Sequence, residues 1–155
     1  MRAATARGVI NMNTNAGYTD GIRLITDAGL DTMRVSIISA IPATYQAYYR
    51  GNYNLADVKA SIAYAKQRGI FISLNMLFFP GLNDRPEEVA AWEDFIAETG
   101  IDMVQLRNLN IDPDAFLAVM PQTGDCPIGV RNFIARLRNK FPGLEIGSFS
   151  RYIKD

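Results

Sequence analysis

Polar side chains follow four apolar runs of the sequence, at the point where each run ends. Their hydroxyl, amide and guanidinium groups are hydrogen-bond donors and acceptors suited to a polar ligand. In parallel α/β folds, ligands bind at the carboxyl ends of the strands, so we expect these side chains to face one site. The polar positions are Asn13, Thr14 and Asn15 after the first run, Ser36 and Ser39 on the second, Asn75 in the third, and Arg107, Asn108 and Asn110 on the fourth.

The segment FISLNMLFFPGLNDRPEEV, residues 71–89, places an asparagine inside an apolar run. Side chains alternate between the two faces of a strand, so Asn75 shares a face with Ser73 and Leu77, and in a barrel that face is the lumen. The alternative is a buried amide whose hydrogen bonds are satisfied by the neighbouring backbone. Either interpretation fits Asn75 alone, whereas the repetition of polar strand ends on four strands favours a binding site.

The composition excludes several kinds of site. The chain has 155 residues, no histidine, and Cys126 as its single cysteine. An intrachain disulfide, a zinc site of the usual Cys/His kind and a catalytic histidine are therefore ruled out. Sixteen basic and sixteen acidic residues give zero net charge, which argues against a nucleic-acid partner. The apolar runs are too short for a membrane span or a signal peptide, so we expect a cytoplasmic protein without a membrane partner.

Glycine precedes five short apolar runs, and helical patterns separate those runs. Glycine fits the left-handed position that ends a helix, so each junction predicts a helix followed by a strand. Asp84 and Glu87 predict a capping box at the third helix, and Pro86 fits its first turn. The strand runs are GVINMN, DTMRVSII, IFISLNMLFF, DMVQLRNL and LEIGSF, and the helical segments are TDGIRLITDA, LADVKASIAYAKQR, PEEVAAWEDFIAET and VRNFIARLRNKF.

This alternation predicts a single α/β domain over residues 1–155, with about four to five parallel strands and outer helices. An open dinucleotide-binding sheet needs a glycine-rich turn after its first strand, and NMNTNAGYTDG contains no G-x-G-x-x-G. A partial (β/α) barrel of the TIM type is therefore the predicted architecture. DPDAFLAVMPQTGDCPIG is the one long connection and is expected to be a loop at the rim.

The order and spacing of these motifs resemble the second half of a radical S-adenosylmethionine (radical SAM) domain. The segments NTNAGY, LITDAGLDTMRVSIIS, SLNMLFFPGLNDRPEE and DMVQLRNLNIDP carry the resemblance, over roughly residues 8 to 150. It implies a partial (β/α)6 barrel in which these strands are the third to sixth, with LEIGSF beyond them. It also implies a parent enzyme that cleaves S-adenosylmethionine (SAM) reductively to a 5′-deoxyadenosyl radical at a [4Fe–4S] cluster.

The chain lacks the motif that defines this family. A C-x-x-x-C-x-x-C loop supplies three thiolates for the cluster, and a glycine–glycine–glutamate motif follows the second strand; neither occurs here. Cys126 alone cannot hold a cluster, so we expect the cluster in the parent protein only and an isolated chain that is inactive. The chain corresponds to a family domain without its N-terminal third, and a shortened chain, a gene prediction that starts late and a split product all fit.

The resemblance assigns roles residue by residue. Ser36 matches the polar position that contacts the ribose or the amino-acid part of SAM. Asn75, Leu77 and Phe78 match the strand that lines the ribose and adenine. Arg107 would place a guanidinium near the carboxylate of SAM or an anionic substrate, and its alternative is an internal ion pair with a strand-end acid. The predicted substrate-binding positions are Thr14, Asn15 and Asn108.

Two other functions fit the sequence: a non-catalytic α/β scaffold or assembly subunit, and a fragment of a barrel-type lyase or aldolase. The lyase requires a Schiff-base lysine or a metal set at the strand ends, and no lysine lies in the first four strand runs. The tyrosine-rich segment TYQAYYRGNY is expected to be a packing cluster near the mouth rather than a nucleic-acid surface.

The first strand predicts self-association. Without the second strand of the barrel beside it, GVINMN exposes unpaired backbone groups, which invite pairing with another chain. We expect a two-fold dimer in which two partial barrels cover each other's lumen or first-strand edge, and the alternative is that residues 1–7 fold back over that edge. The predicted hydrophobic centre of its contact is an apolar lumen formed by Met12, Ile37, Leu74 and Leu106.

Overall fold

The structure, a computed structural model, describes residues 8–121 and 125–147. The strands in these ranges are β1 (Asn11–Thr14), β2 (Thr32–Ile37), β3 (Phe71–Leu77), β4 (Met103–Arg107) and β5 (Glu145–Ile146). The helices are α1 (Thr19–Asp27), α2 (Pro42–Tyr49), α3 (Leu55–Gln67), α4 (Pro86–Thr99), α5 (Pro113–Leu117) and α6 (Val130–Lys140). No helix within the described ranges has the length and apolar character needed to cross a membrane.

The strands run parallel in one sheet, in the order β1–β2–β3–β4–β5. Sequential strands are neighbours, as expected for repeated strand–helix units. The pairing is in register across the sheet, so that Ser36 pairs with Asn75 and Asn75 pairs with Gln105. The predicted α/β class, with four to five parallel strands in a partial barrel, is confirmed.

The main hydrophobic core lies between the sheet and its helices. Every second residue of β2 and β3 is apolar and fully buried on this side, including Met33, Val35, Ile72 and Leu74. Each such side chain stabilises the fold by about 1.5–3 kcal/mol relative to exposure. The helices contribute Ile22, Val58, Ile62, Val89, Trp92, Phe95 and Phe133 to the same core.

The predicted apolar lumen is wrong. Leu74 lies in the core under the helices, and Met12 and Leu106 pack against that core. Ile37 belongs to the same core and only borders the opposite face. The error follows from the period of two along a strand, since Leu74 is the immediate neighbour of Asn75 and cannot share its face.

Glycine ends the helices at most of the predicted junctions. Gly100 follows α4 in the left-handed conformation, with φ 59° and ψ 36°, and donates its N–H to the carbonyl of Ile96 at 3.0 Å. Gly143 differs, because its φ is not positive. The run LEIGSF contributes the short strand β5, and its residues 148 and 149 lie outside the described residues.

The capping box predicted at α4 is wrong. Arg85 is the N-cap residue and makes no side-chain capping bond, whereas Asp84 accepts a hydrogen bond from the N–H of Gly81 at 2.7 Å. The proline of the first turn lies as expected. A capping box forms at α3 instead, where the side chains of Asn54 and Asp57 each accept from the other's backbone N–H.

The two short helices, α2 and α5, are not predicted from the sequence. They carry an aromatic cluster at the carboxyl end of the sheet, in which the rings of Tyr45 and Tyr49 lie 4.5 Å apart. The ring of Phe116 lies 5.9 Å from Tyr48 and 5.0 Å from Phe79. The predicted packing role of the tyrosine-rich segment is therefore confirmed, whereas the long connection contains a helix.

The turn after β3 fixes the neighbouring chain segments at the carboxyl edge of the sheet. The fully buried Asn83 accepts from the N–H of Phe79 at 2.7 Å and donates to the carbonyl of Ile38, just beyond β2. Arg85 donates to the carbonyl of Pro121 at 3.1 Å. Because buried backbone groups need partners, these bonds hold β2, the turn and the segment after α5 together.

Glu88, in the first turn of α4, is a fully buried carboxyl. The hydroxyl of Ser39 donates to its Oε1 at 2.6 Å, and its Oε2 has no hydrogen-bond partner among the described residues. Burial raises the pKa of Glu88 from 4.5 to about 7, because the charged form loses its hydration and the bond from Ser39 offsets only part of that loss.

We expect the free energy of unfolding to fall as the pH rises from 4.5 to about 7, because charging the buried Glu88 is unfavourable. The full change is on the order of 3 kcal/mol. Glu88→Gln removes this titration, so its stability advantage over wild type should grow across the same interval. Urea unfolding at several pH values measures the difference, with the exposed Glu98→Gln as control. Parallel pH profiles for wild type and E88Q would contradict the assignment.

Candidate functional site

A cavity of about 630 Å³ opens on the sheet face opposite the main core. We call it the strand-end cavity. Its walls come from β1 to β4, from the last turn of α2 and from the segment that follows β4. The predicted polar strand ends therefore meet at one place, as the parallel direction of the strands requires.

Arg107 is held at this cavity by two neutral amides. Its Nε donates to Oδ1 of Asn75 at 2.8 Å, and its Nη2 donates to Oε1 of Gln105 at 3.0 Å. Nη1 makes no hydrogen bond with the residues that the structure describes. The backbone-bonded amide considered for Asn75 is not observed, because its oxygen accepts from the side chain of Arg107. The internal ion pair considered for Arg107 is not observed within the described ranges either.

Ser36 lies at the level of Asn75, because β2 and β3 pair in register. Its hydroxyl makes no hydrogen bond within the described part of the chain, and its carbonyl accepts from the phenol of Tyr49 at 3.0 Å. Burial raises the pKa of Tyr49 far above its ordinary value, so this phenol remains a donor at physiological pH. The phenol of Tyr49 thus fixes the backbone at Ser36, while the hydroxyl of Ser36 is available to a ligand.

The structure brings most of the predicted binding residues into the cavity. Those that line it are Ser36, Asn75, Leu77, Arg107 and Asn108. Phe78 is buried in the main core instead. Thr14 accepts a bond within its own turn, and Asn15 donates to the phenol oxygen of Tyr53 at 2.6 Å, so neither lines the cavity.

Sequence reasoning missed Arg34, Gln105 and two tyrosines of α2. Arg34 lines the cavity, and Gln105 orients Arg107. Period-two alternation was sufficient to find both, since Arg34 lies two residues before Ser36 and Gln105 two residues before Arg107. The tyrosine-rich segment was expected near the mouth as a packing cluster, and the structure adds that Tyr48 and Tyr49 line the cavity.

The cavity is electropositive. Among the described residues that line it, Arg34 and Arg107 are the charged ones, and no carboxylate is present. No group of three or more His, Cys, Asp or Glu side chains in the described ranges is arranged to hold a metal ion, and Cys126 is exposed. The donors therefore fit a polar ligand with an anionic group and do not fit a metal cluster.

A sequence model of the radical SAM superfamily matches residues 2–92, which is more than half of the chain. The matched range includes Ser36, Asn75 and Leu77, and it ends before Arg107 and Asn108. No curated protein matches the chain.

Two solved structures are similar to this fold. A radical SAM methyltransferase from Sphaerobacter thermophilus has a TM-score of 0.64 and 17% identity, over 92% of this chain and 41% of that chain. Streptococcus suis SuiB has a TM-score of 0.57 and 11% identity, over 91% of this chain and 33% of that chain. At these identities the similarity shows the fold alone, and this chain spans well under half the length of either protein.

We expect Tyr49→Phe to lower the free energy of unfolding by about 1 kcal/mol, because it removes the bond that fixes the carbonyl of Ser36. Tyr48→Phe is the matched control, since the hydroxyl of Tyr48 bonds to none of the described residues, and its effect should be at most half as large. Urea unfolding of the two variants measures both values. Equal losses in the two variants would remove the role assigned to the phenol of Tyr49.

Proposed function

We propose that this chain, which belongs to the radical SAM superfamily, forms the wall of a cavity that binds SAM and a substrate in an enzyme of that family. In this proposal β1 to β4 are the third to sixth strands of the family barrel. The family match over residues 2–92, the shared fold and the place of the cavity at the carboxyl ends of the strands support it.

The setting of Arg107 carries the proposal. Two neutral amides fix its guanidinium without neutralising it, so the full charge remains available to a carboxylate. The Nη1 end of the guanidinium is unengaged within the described ranges, and a guanidinium binds a carboxylate through two parallel N–H donors. We assign this end to the carboxylate of SAM.

The residues beside Arg107 offer polar and apolar groups that match the other parts of SAM. Ser36 and Asn75 lie side by side and offer a hydroxyl and an amide N–H₂ to the ribose and the amino-acid part of SAM. Asn75 uses its oxygen for Arg107, which leaves its two N–H donors to the ligand. Leu77, one level closer to the mouth, provides apolar surface for the adenine, and Asn108 is assigned to the substrate side.

The residues of this chain do not fit the [4Fe–4S] cluster that the family uses. Such a cluster needs three thiolates at this type of site, and Cys126 is the single cysteine. In a complete family enzyme, SAM is the source of the 5′-deoxyadenosyl radical. The part proposed for this chain is to bind and orient ligands, and no catalytic residue is assigned to it. Its cytoplasmic location and its lack of a nucleic-acid partner stay predictions.

We expect SAM to bind the chain weakly, because cluster contacts are absent, and to shift the backbone NMR signals of Ser36, Asn75 and Leu77. Arg107→Gln should weaken SAM about tenfold, since it removes a charge-assisted pair. The same variant should leave adenosine affinity within twofold, because adenosine has no carboxylate. Arg138→Gln, on the exposed surface of α6, is the control for loss of one positive charge.

Two results would count against this assignment. SAM-induced shifts that avoid the strand-end cavity would favour the scaffold alternative. Equal weakening of SAM and adenosine by R107Q would mean that Arg107 shapes the cavity instead of binding the carboxylate.

We also propose that the chain self-associates through the edge of β1. Within the described residues β1 pairs with β2 only, so its other side carries unpaired backbone groups. An apolar groove of about 490 Å³ lies beside this edge, between β1 and α1, and Leu24 at its rim is 72% exposed. Unpaired edges and apolar surface favour contact with a second copy, and this groove replaces the lumen as the expected contact.

Light scattering at micromolar concentration should give a mass near twice the 17.2 kDa of one chain. Leu24→Glu should shift the mass towards that of the monomer, because a buried contact disfavours an unpaired charge. Val130→Glu, at an exposed apolar position of α6, should leave the mass unchanged. A wild-type monomer over the whole concentration range would contradict the proposal.

A further inference from the structure

We propose that Arg34 binds an oxyanion of the substrate, so that the substrate of the strand-end cavity carries a carboxylate or a phosphate group. This inference rests on the proposed function, because it treats the cavity as shared by SAM and a substrate. It assigns to Arg34 a ligand separate from the one assigned to Arg107.

Arg34 has no protein partner among the described residues. Its Nε is buried and makes no hydrogen bond, and the side chain lines the cavity. Its neighbours in register, Asn13 and Ser73, are neutral. A guanidinium that lines a cavity without an acceptor is unfavourable and rare, so Arg34 points to an acceptor that arrives with the ligand.

Arg34 lies deeper along the strands than the guanidinium of Arg107 and, unlike it, has no hydrogen-bond partner among the described residues. Arg34 pairs with Ser73, which lies two residues before Asn75, so its Cα level is roughly 7 Å deeper than that of Asn75 at about 3.3 Å per residue. The guanidinium of Arg107 is fixed at the level of Asn75 by its two amide partners. SAM has one carboxylate, which the proposed function places at Arg107. We therefore assign a second anionic group, that of the substrate, to Arg34.

The lining chemistry selects the class of that group. With two guanidiniums and no carboxylate among the described lining residues, a cationic substrate group is disfavoured. An apolar group would leave the guanidinium of Arg34 without an acceptor. Carboxylates and phosphates both accept the paired N–H donors of a guanidinium, so the shared oxyanion chemistry is what the geometry specifies.

The test titrates the full chain with inorganic phosphate and, separately, with malonate as the carboxylate probe. The signal is the Nε–H resonance of Arg34 in ¹⁵N NMR, which shifts when the guanidinium binds an anion. At least one probe should shift it, and which probe binds more tightly distinguishes phosphate from carboxylate. Absence of a shift with both probes at tens of millimolar would overturn the proposal.

Matched variants separate ligand binding from structural roles. Arg34→Gln should weaken the bound probe at least fivefold, and Arg34→Lys should retain part of the affinity through its charge. Arg138→Gln, on the exposed surface of α6, should change it less than twofold. Without ligand, R34Q should melt at the wild-type temperature or about 2 °C above it, because it removes an unpaired buried donor. A fall of 4 °C or more, or equal probe affinity in R34Q, would show that Arg34 is structural.

SAM affinity distinguishes failure of this inference from failure of the proposed function. Probe binding through Arg34 without SAM binding would leave the anion site in place and overturn the SAM assignment. SAM binding that R34Q weakens as much as R107Q, with competition between SAM and the probe, would assign Arg34 to the cofactor and overturn the substrate class. Additive occupancy by SAM and the probe is the expected result.

Discussion

β1 to β4 pair residue for residue, so side chains at one depth lie side by side and successive side chains face opposite sides of the sheet. A slip of β3 by one residue would place Asn75 under the helices and Leu74 in the cavity. Exposing Leu74 and its apolar neighbours would sacrifice several kcal/mol of burial. Hydrophobic packing on one face therefore fixes the relative positions of Arg34, Ser36 and Arg107 on the other.

The carboxyl edge of the sheet depends on buried polar groups as well as on packing. Asn83 donates a hydrogen bond to the carbonyl of Ile38 and so joins the turn after β3 to the segment just beyond β2. Glu88 accepts a hydrogen bond from the hydroxyl of Ser39, in the same segment. These directional bonds fix the chain just beyond β2, from which α2 begins, and Tyr49 of α2 bonds back to the carbonyl of Ser36. The pKa of Glu88 is raised because its carboxyl is buried among these groups and loses its hydration when charged.

The sequence was sufficient to predict the helices and strands with clear periodicity, and to predict which strand residues face the cavity. Ser36, Asn75 and Arg107 meet because parallel strands bring their carboxyl ends together, and no contact had to be known in advance. The error at Leu74 came from departing from that same alternation. The short helix α2 has no apolar stripe to reveal it, and the partner of Asp84 depends on a turn geometry that spacing does not specify. The unpaired Nε of Arg34 depends on every residue around it, so it becomes visible only in the folded structure.

Stability and binding are assigned to opposite faces of the same strands, and this division sets what each position tolerates. Leu74 and Ile72 are fully buried, so enlarging or shortening them disturbs a packed core. Between them, Ser73 faces the cavity side with Arg34, where small polar groups leave room for a ligand and contribute little to burial. An unpaired guanidinium on that face weakens the empty protein and strengthens a complex with an anion. Burial of apolar side chains on the helix side offsets the cost of keeping an unpaired guanidinium on the cavity side.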